Sequence, residues 1–533
     1  MREMMTTRFS PDLRGLIWSL VLALLILGWY IPAEAFDLSL SNDFSLTYND
    51  VSGPGRNQSF LTEGTRYLNV FDLYGRGEVK DYQYHFNIGS KATDDPRNDS
   101  RKISLTNMQA RISNQIHTLT LGDTYEAFSQ YTMNTAIKGF SYRYADSQNR
   151  LPDIAVLAGI AYSRWDNFWG TAAVERQVYG GRIRQYLTPD LWIAANMVYS
   201  KDDNNIATLP HYTTKTMGFD WEYLPIPGLT IRGESTWSDV DETPAGSAAE
   251  ISSNGHAHKI EAIGDGGPSR VSLEYERISS DFFTLLGSAT PDREKVKARW
   301  RYRPVQNQTW TLGFLWYRDN LDGQLAQRTD HFRPEIGFAL RQLLDRRYSV
   351  VNLNYKLDRA QGSRSTTDHF INLGYRDRFG EFDSDTNLGV ALYDTENRRD
   401  DTELFINTTL SARKTVGEWV FRPSLRVGAW TLDNELENSR DTTWDASVGL
   451  GVDVPQYKIN SNVRFGYNQL KQGNGSDSEK FFANISVYYR PEFLARLNQG
   501  MIYLRGNIND MSYDVSSRNY RENSIVAGIR IQL

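Results

Sequence analysis

Apolar and polar side chains alternate with a period of two, in segment after segment, from residue 36 to residue 533. The first segment has apolar residues at nearly every second position and polar residues between them: Leu38, Leu40, Phe44, Leu46 and Tyr48 against Ser39, Ser41, Asp43, Ser45 and Thr47. Alternation of this kind indicates a β-strand with one apolar face and one polar face. Because no amphipathic helix of ordinary length competes with these segments, we predict an all-β fold.

The connections between the segments alternate between tight turns and long polar loops. Residues 80–81 and 225–228 are tight connections, whereas residues 94–100 and 201–210 are longer and polar. Barrels of bacterial outer membranes have short periplasmic turns, longer extracellular loops and strands of about 10 residues. A large soluble assembly of two sheets in the periplasm would show the same alternation of apolar and polar residues, but not the alternation of short and long connections. We therefore predict a transmembrane antiparallel β-barrel.

The number of strands follows from counting the alternating segments. Residues 36–533 contain about 26 of them, an even number, so both ends of the barrel wall fall on the periplasmic side. The alternation is weaker over residues 115–122, 256–264 and 388–394, which leaves 22 or 24 strands as alternatives.

Composition agrees with a barrel and excludes a helical membrane protein. The mean hydropathy is -0.53 and 23% of the residues are charged, whereas each transmembrane helix needs about 20 consecutive apolar residues. In a barrel, the same low average arises from an apolar face toward lipid and a polar face toward the lumen. The 13% of aromatic residues suit the girdles at the two membrane interfaces.

The N-terminus has the features of an export signal. Arg2, Arg8 and Arg14 precede a single apolar stretch over residues 16–30, which is followed by Ala33-Glu34-Ala35. Basic residues, a short apolar stretch and a small-x-small motif are typical of a cleaved secretory signal peptide. We predict removal of residues 1–35, with cleavage recognised through Ala33 and Ala35, and a mature barrel of residues 36–533. A retained N-terminal anchor is the alternative.

Together, the alternating segments and the rhythm of connections over residues 36–533 resemble Gram-negative outer-membrane β-barrels of the porin and channel type. The resemblance implies a multi-pass barrel in the outer membrane, in contact with lipid and lipopolysaccharide and inserted by the barrel-assembly machinery. It also implies a transport or conduit role. The function expected first is a porin-like channel for solutes or a substrate.

One predicted strand has a row of basic side chains on its polar, lumen-facing side: Lys295, Lys297, Arg299, Arg301 and Arg303. The preceding strand has Glu274 and Glu276 on the same face. An unpaired basic row would attract anions, as charged rings in pores do. Cross-strand ion pairs with the two glutamates would instead leave a polar wall without selectivity. Both interpretations stay open from the sequence.

The width of the barrel calls for something that narrows the lumen, because barrels of about 16 to 18 strands already leave an aqueous channel. Two loops have more aromatic residues than exposed loop tips usually contain, and we predict that they fold inward: residues 122–134 with Tyr125, Phe128 and Tyr131, and residues 164–173 with Trp165, Phe168 and Trp169. The alternative is a periplasmic or lumenal protein partner. That arrangement would resemble the wide barrels that sheathe a multihaem cytochrome in electron conduits across the outer membrane.

Catalytic and cofactor chemistry find little support in the sequence. His256 and His258 would share one face of a strand, but two histidines without a third ligand do not make a metal site. The chain has no cysteine, which excludes thiolate metal sites and covalent attachment of c-type haem. We expect no catalytic residues, no metal and no cofactor, with a barrel-embedded hydrolase as a further alternative. A net charge of -6 gives no reason to expect nucleic acid.

Overall fold

A computed structural model describes residues 36–533 except 147, 170–172, 204–205, 207, 325, 474 and 496–499. The predicted signal peptide, with Ala33 and Ala35, lies outside the described residues. Among the described residues, no helix is both long and apolar enough to cross a membrane.

The described residues form a closed antiparallel barrel of 26 strands. The strands are β1 Phe36–Ser52, β2 Gly64–Val79, β3 Tyr82–Thr93, β4 Ile103–Ser113, β5 His117–Thr124, β6 Ile137–Tyr144, β7 Asp153–Ile160, β8 Arg176–Thr188, β9 Leu191–Asp202, β10 His211–Ile226, β11 Leu229–Thr243, β12 Ile251–Gly266, β13 Ser269–Ile278, β14 Arg293–Tyr302, β15 Gln308–Asp319, β16 Asp330–Arg341, β17 Val350–Gln361, β18 Thr366–Phe379, β19 Phe382–Thr395, β20 Arg399–Ala412, β21 Trp419–Asn434, β22 Ser439–Val454, β23 Ile459–Lys471, β24 Ser478–Tyr489, β25 Met501–Tyr513 and β26 Tyr520–Gln532. A short segment, Lys414–Val416, continues β20 along β21.

Within the described ranges, helical structure is confined to the connections between strands. One α-helical turn, α1 Glu492–Ala495, lies between β24 and β25. The 3-10 turns are Arg56–Gln58, Trp165–Phe168, Leu343–Asp345, Pro455–Tyr457 and Ser516–Arg518.

The barrel closes where the first strand pairs with the last. β1 pairs with β2 on one side and with β26 on the other, in a register that sets Leu46 opposite Ala527. Backbone hydrogen bonds join Leu40 and Leu533 in both directions, at 3.1 and 2.8 Å. With a strand spacing of about 4.8 Å and a tilt of about 40°, the circumference is about 160 Å and the backbone diameter about 50 Å.

The strand count predicted from the sequence is confirmed. The three segments with weaker alternation fall on β5, β12 and β19, and each of these strands pairs with both neighbours. The counts of 22 and 24 are therefore excluded, and the all-β barrel prediction is correct.

The two faces of the wall differ in chemistry. Successive side chains of a strand point to opposite faces, and one face is apolar and well exposed, as at Leu353, Ile371 and Ile406. The other face has the charged and amide side chains, and loop segments of residues 125–136 and 279–292 pack against it along β6 to β13. The polar face therefore lines the lumen, and the apolar face forms the outer surface of the barrel.

Candidate functional site: the barrel lumen

Three consecutive strands are unusually short, and they let a loop enter the lumen. β5, β6 and β7 have 8 residues each, whereas β8 has 13 and β10 has 16. The connection between β5 and β6, residues 125–136, therefore starts well below the rim of the neighbouring strands. It turns inward and packs on the lumen face, together with residues 279–292 from the β13–β14 connection. We call these two segments the inner layer.

The inner layer is held by apolar packing. Phe128 is 1% exposed and Met133 is 0% exposed, and both lie in a cluster of lumen-facing residues from the wall. The wall side of the cluster comprises Ile137, Ala155, Leu157, Val178 and Val198, and Leu286 comes from the second segment. Full burial of side chains of this size stabilises by about 1.5–3 kcal/mol each. The layer is therefore a packed part of the fold and not a loose plug.

Charged wall residues bind the backbone at the tip of the first segment. The Glu234 carboxylate accepts hydrogen bonds from the backbone N–H groups of Gln130 (3.3 Å) and Tyr131 (3.0 Å). Lys259 Nζ donates to Gln130 Oε1 at 3.0 Å, and Arg182 donates to the Phe128 carbonyl oxygen. The tip is thus fixed to β8, β11 and β12, strands distant from those that precede and follow it in sequence.

The two segments of the inner layer are also joined to each other. The Asn134 N–H donates to the Leu286 carbonyl oxygen at 2.7 Å, and the Ser288 N–H donates to the Gln130 carbonyl oxygen at 2.8 Å. Tyr131 meets Phe282 edge to face, with ring centroids 6.0 Å apart. Both side chains are almost fully buried. Displacement of either segment must therefore disturb the other.

Glycines in the wall make room for the inner layer. A Cβ atom on Gly180 would lie 2.7 Å from Cε2 of Phe128, and one on Gly218 would lie 2.9 Å from Cγ2 of Thr132. A Cβ atom on Gly255 would overlap the backbone of Phe282. These distances are shorter than side chains tolerate, so the sequence of β8, β10 and β12 is specific for the inward position of the loops.

Only some of the predicted constriction residues lie in the lumen. Phe128 and Tyr131 lie in the inner layer, as described above. Tyr125 stays 56% exposed and its hydroxyl donates to Asn134. The second segment, with Phe282 and Leu286, was not predicted from the sequence, although its residues Phe282-Phe283 and Leu285-Leu286 are an apolar group within a polar connection.

The other predicted loop lies on the opposite face of the wall. Trp165 is 0% exposed and packs with Phe168 and Ile160, against the outward side chain of Tyr179. Its indole N–H donates to Asp123 Oδ2 at 2.8 Å. Trp169 is 63% exposed. This segment covers the outside of the wall above the short strands, so Trp165, Phe168 and Trp169 do not narrow the lumen.

A buried carboxylate fastens this outer segment to the β3–β4 connection. Asp99 accepts hydrogen bonds from Arg164 Nη2 at 3.0 and 2.9 Å and from Ser104 Oγ at 2.8 Å, and its side chain is 2% exposed. Burial alone would raise the pKa of Asp99, but hydrogen bonds from the Arg101 N–H, Ser104, Arg164 and Lys91 outweigh it and bring the pKa far below its usual value. Asp99 therefore stays ionised through the mildly acidic range.

Arg164→Gln should loosen this attachment, because it leaves a buried carboxylate without its main cationic partner, at a cost of about 1–3 kcal/mol. We expect the Arg101 amide, which donates to Asp99 Oδ1 at 3.0 Å, to exchange its hydrogen about tenfold faster at pH 7. Since a lowered carboxyl pKa stabilises the folded form above the unfolded pKa of about 4, protection in the wild type should fall only below that pH.

Amide hydrogen exchange read by mass spectrometry, corrected for the intrinsic pH dependence, measures both effects. Arg101→Gln is the matched control, since its guanidinium is 3.7 Å from Asp166 and does not contact Asp99 through its side chain. Equal protection in Arg164→Gln and wild type would contradict the assignment.

The predicted basic row lies on β14 and at its end, and its charges are only partly neutralised. Lys295 Nζ is 3.0 Å from Glu274 and 3.1 Å from Glu276, and Lys259 on β12 is 3.3 Å from Glu274. Lys297, Arg299, Arg301 and Arg303 have no ion pair within the described part of the chain. The row thus divides into a paired residue, Lys295, and a part from Lys297 to Arg303 that has no ion pair among the described residues.

The sector from β17 to β24 has an open lumen face. Its side chains there include exposed amides that make no side-chain hydrogen bond within the described residues: Asn352, Asn354, Asn372, Asn462 and Asn484. On β8 to β12, by contrast, lumen-facing residues such as Val178, Thr236 and Ala257 are buried by the inner layer. The lumen therefore has one covered side and one solvated side.

The two neighbouring histidines of β12 lie on the outer face, whereas His331 on β16 faces the lumen with its Nε2 2.6 Å from Asp358 Oδ1. The rings of His256 and His258 lie 5.1 Å apart, and His258 Nδ1 is 3.0 Å from Ser235 Oγ on the neighbouring strand. No carboxylate among the described residues binds His258, so the Ser235–His258 contact lacks the third group that orients a catalytic histidine. No group of three or more His, Asp or Glu residues within the described ranges could hold a metal ion.

No protein-family model matches the chain, and no curated protein matches it. Solved structures are similar at the level of the fold. The P pilus usher (PapC) translocation pore is 9% identical over 92% of this chain and 99% of that chain, with a TM-score of 0.43. The Escherichia coli outer membrane transporter YddB is 8% identical over 93% and 80%, with a TM-score of 0.44. Wzi, a carbohydrate-binding β-barrel involved in group 1 capsule assembly in Escherichia coli, is 13% identical over 66% and 86%, with a TM-score of 0.33.

A membrane-spanning sheet must be closed, because lipid cannot satisfy open backbone groups. This chain has that closed wall, an apolar outer face and a polar lumen. It is an all-β, closed antiparallel barrel whose two faces have the chemistry of a membrane-spanning wall.

Proposed function

We propose that the chain is a wide outer-membrane channel through which solutes or a substrate pass. The observation that supports this is the open, amide-rich lumen face of β17 to β24, opposite the inner layer. A wall about 160 Å around leaves a water-filled path beside a layer that covers only one side. The inner layer acts as a fixed constriction in this proposal, because its backbone is bonded to the wall at Glu234, Lys259 and Arg182.

Electrical recording tests the channel. Purified barrel, shown to be folded by its heat-modifiable gel mobility, should give steady single-channel conductance in planar bilayers. Persistent electrical silence of folded barrel would count against the proposal.

We propose further that the free part of the basic row gives the channel a preference for anions. Reversing Lys297, Arg299 and Arg301 together to Glu should lower the anion-to-cation permeability ratio at least about twofold in 0.1 M salt, where the screening length is about 10 Å. The reversal potential across a KCl gradient measures this ratio. The control reverses Arg347, Arg398 and Lys414, which lie in exposed connections or on the outer face; an equal change there would contradict a role for the row.

A barrel that holds a protein partner in its lumen is the second candidate. It is favoured by the same uncovered sector, which the chain's own described loops do not fill. A multihaem cytochrome is the partner class that the sequence resemblance implies. Affinity purification from native membranes in mild detergent, followed by haem staining, should recover such a partner, and recovery of the barrel alone would exclude it.

The remaining assignments are proposals that accompany either function. Export through a signal peptide of residues 1–35, insertion by the barrel-assembly machinery and contact of the apolar face with lipid and lipopolysaccharide all suit the barrel. We propose no enzymatic role, supported by the incomplete Ser235–His258 contact. Loss of a lipid-hydrolysing activity in His258→Ala would overturn this.

A further inference from the structure

A groove lies in the lumen wall beside the seam where β26 meets β1. It is at the end of the barrel that has the tight turns, which is the periplasmic end in outer-membrane barrels. We call it the seam groove; its volume is about 760 Å³, and the residues used below are Lys458, Tyr488, Arg490, Tyr503, Arg505 and Arg530. Volumes of this size are typical of sites for small ligands.

The floor of the seam groove is built from aromatic side chains that position a guanidinium. Gly528 on β26 lets the Tyr503 ring lie flat on the wall, since a Cβ atom there would overlap the ring. The Tyr503 hydroxyl donates to Asp43 Oδ1 at 2.7 Å, which fixes the ring. Arg505 then stacks on two rings, with its guanidinium carbon 4.7 Å from the Tyr503 centroid and 5.5 Å from the Tyr488 centroid. Its donors are thus held in place before any ligand arrives.

The charge of the seam groove is positive after its internal pairs are counted. Asp43 is bound by Arg530, whose Nε lies 2.8 Å from Asp43 Oδ2. Asp453 is bound by Arg422 and by the Asn460 amide. Lys458, Arg490 and Arg505 have no acidic partner within the described residues. Three free cations therefore face one aromatic floor.

We infer that the seam groove binds an anionic group, a phosphate or a carboxylate, of a solute that enters from the periplasmic end. Arg505 supplies donors of fixed orientation, which suit the planar or tetrahedral oxygens of such groups. Lys458 and Arg490 add charge at the mouth, and the tyrosine floor offers contact to the body of an organic anion. The site is an equilibrium binding site and does not require that ions flow through the barrel.

Titration calorimetry on the folded barrel in detergent, at low salt, tests the inference with pyrophosphate and benzoate as separate probes. We expect at least one probe to bind the wild type, and Arg505→Gln to weaken that probe about tenfold, as loss of a charge-assisted hydrogen bond does. The double variant Lys458→Gln/Arg490→Gln should weaken it too. The matched control is Arg464→Gln on β23, an exposed lumen arginine outside the groove, which should change affinity less than twofold.

Each outcome of the calorimetry either supports the inference or overturns it. Binding of pyrophosphate alone assigns a phosphate site, and binding of benzoate alone assigns a carboxylate site. Failure of the wild type to bind either probe, or equal weakening by Arg505→Gln and Arg464→Gln, would overturn the inference. A barrel that binds a probe but conducts no ions would contradict the channel and leave the seam groove standing.

Discussion

Ile406→Arg should sharply reduce the amount of folded barrel in the membrane, whereas Asn407→Arg on the next position should not. Ile406 lies at the middle of β20, faces outward and is flanked across the strands by Leu388 and Ala429. Asn407 faces the lumen, opposite Asn387. An arginine in lipid near the midplane of a barrel costs about 2–4 kcal/mol, while one in lumen water costs little.

The pair is a direct test of which face meets lipid. Heat-modifiable gel mobility gives the folded fraction, and urea unfolding in lipid vesicles gives the loss of stability. Because the two substitutions are adjacent and identical in charge, general effects of an added arginine cancel. Equal folding of the two variants would mean that the faces are assigned wrongly.

Gly255→Val should displace the inner layer and so open the constriction. Because removal of a layer about 10 Å thick from one side widens the lumen, the single-channel conductance should rise by roughly a third. The added side chain would overlap the Phe282 backbone, which cannot move aside as a flexible side chain would. Since Leu286 and Ser288 are bonded to Asn134 and Gln130, displacement of the second segment should carry the first with it.

Single-channel recording measures the conductance, and limited proteolysis at residues 279–292 reports whether the segment is released. Gly451→Val on β22 is the control, because a Cβ atom there meets nothing nearer than 3.4 Å. An unchanged conductance together with released loops would show that the inner layer does not limit flow.

Much of the fold could be predicted because alternate residues of a barrel strand face two different environments, lipid on the outside and water in the lumen. Each lipid-facing position must be apolar, so the strands and their faces could be located from parity alone. Two of the weaker segments fell on strands whose residues also serve contacts with loops. β5 is short, and Asp123 near its end accepts a hydrogen bond from Trp165, while β12 has Gly255 and Ala257 under the inner layer.

The lumen was less predictable, because an aromatic residue in a loop does not reveal which side of the wall it packs on. Phe128 and Trp165 are both buried and both follow short strands, yet they lie on opposite faces. The deciding information is in the wall. Gly180 and Gly255, within otherwise regular strands, mark places where another segment comes close, and that signal points to the lumen side. The pairing of two loops more than a hundred residues apart leaves no local trace.

The hydrogen bonds between Leu40 and Leu533 also determine how assembly has to finish. Every other pairing in the wall joins strands that are neighbours in sequence, whereas this one joins the first strand to the last across nearly the whole chain. Contacts at such separation form slowly, and until this one forms the sheet has two open edges that can pair with other chains. Assembly therefore ends with the closure of a ring. Twenty-five strands without the last form a sheet whose open edges can pair with other chains, and only the twenty-sixth strand closes the wall.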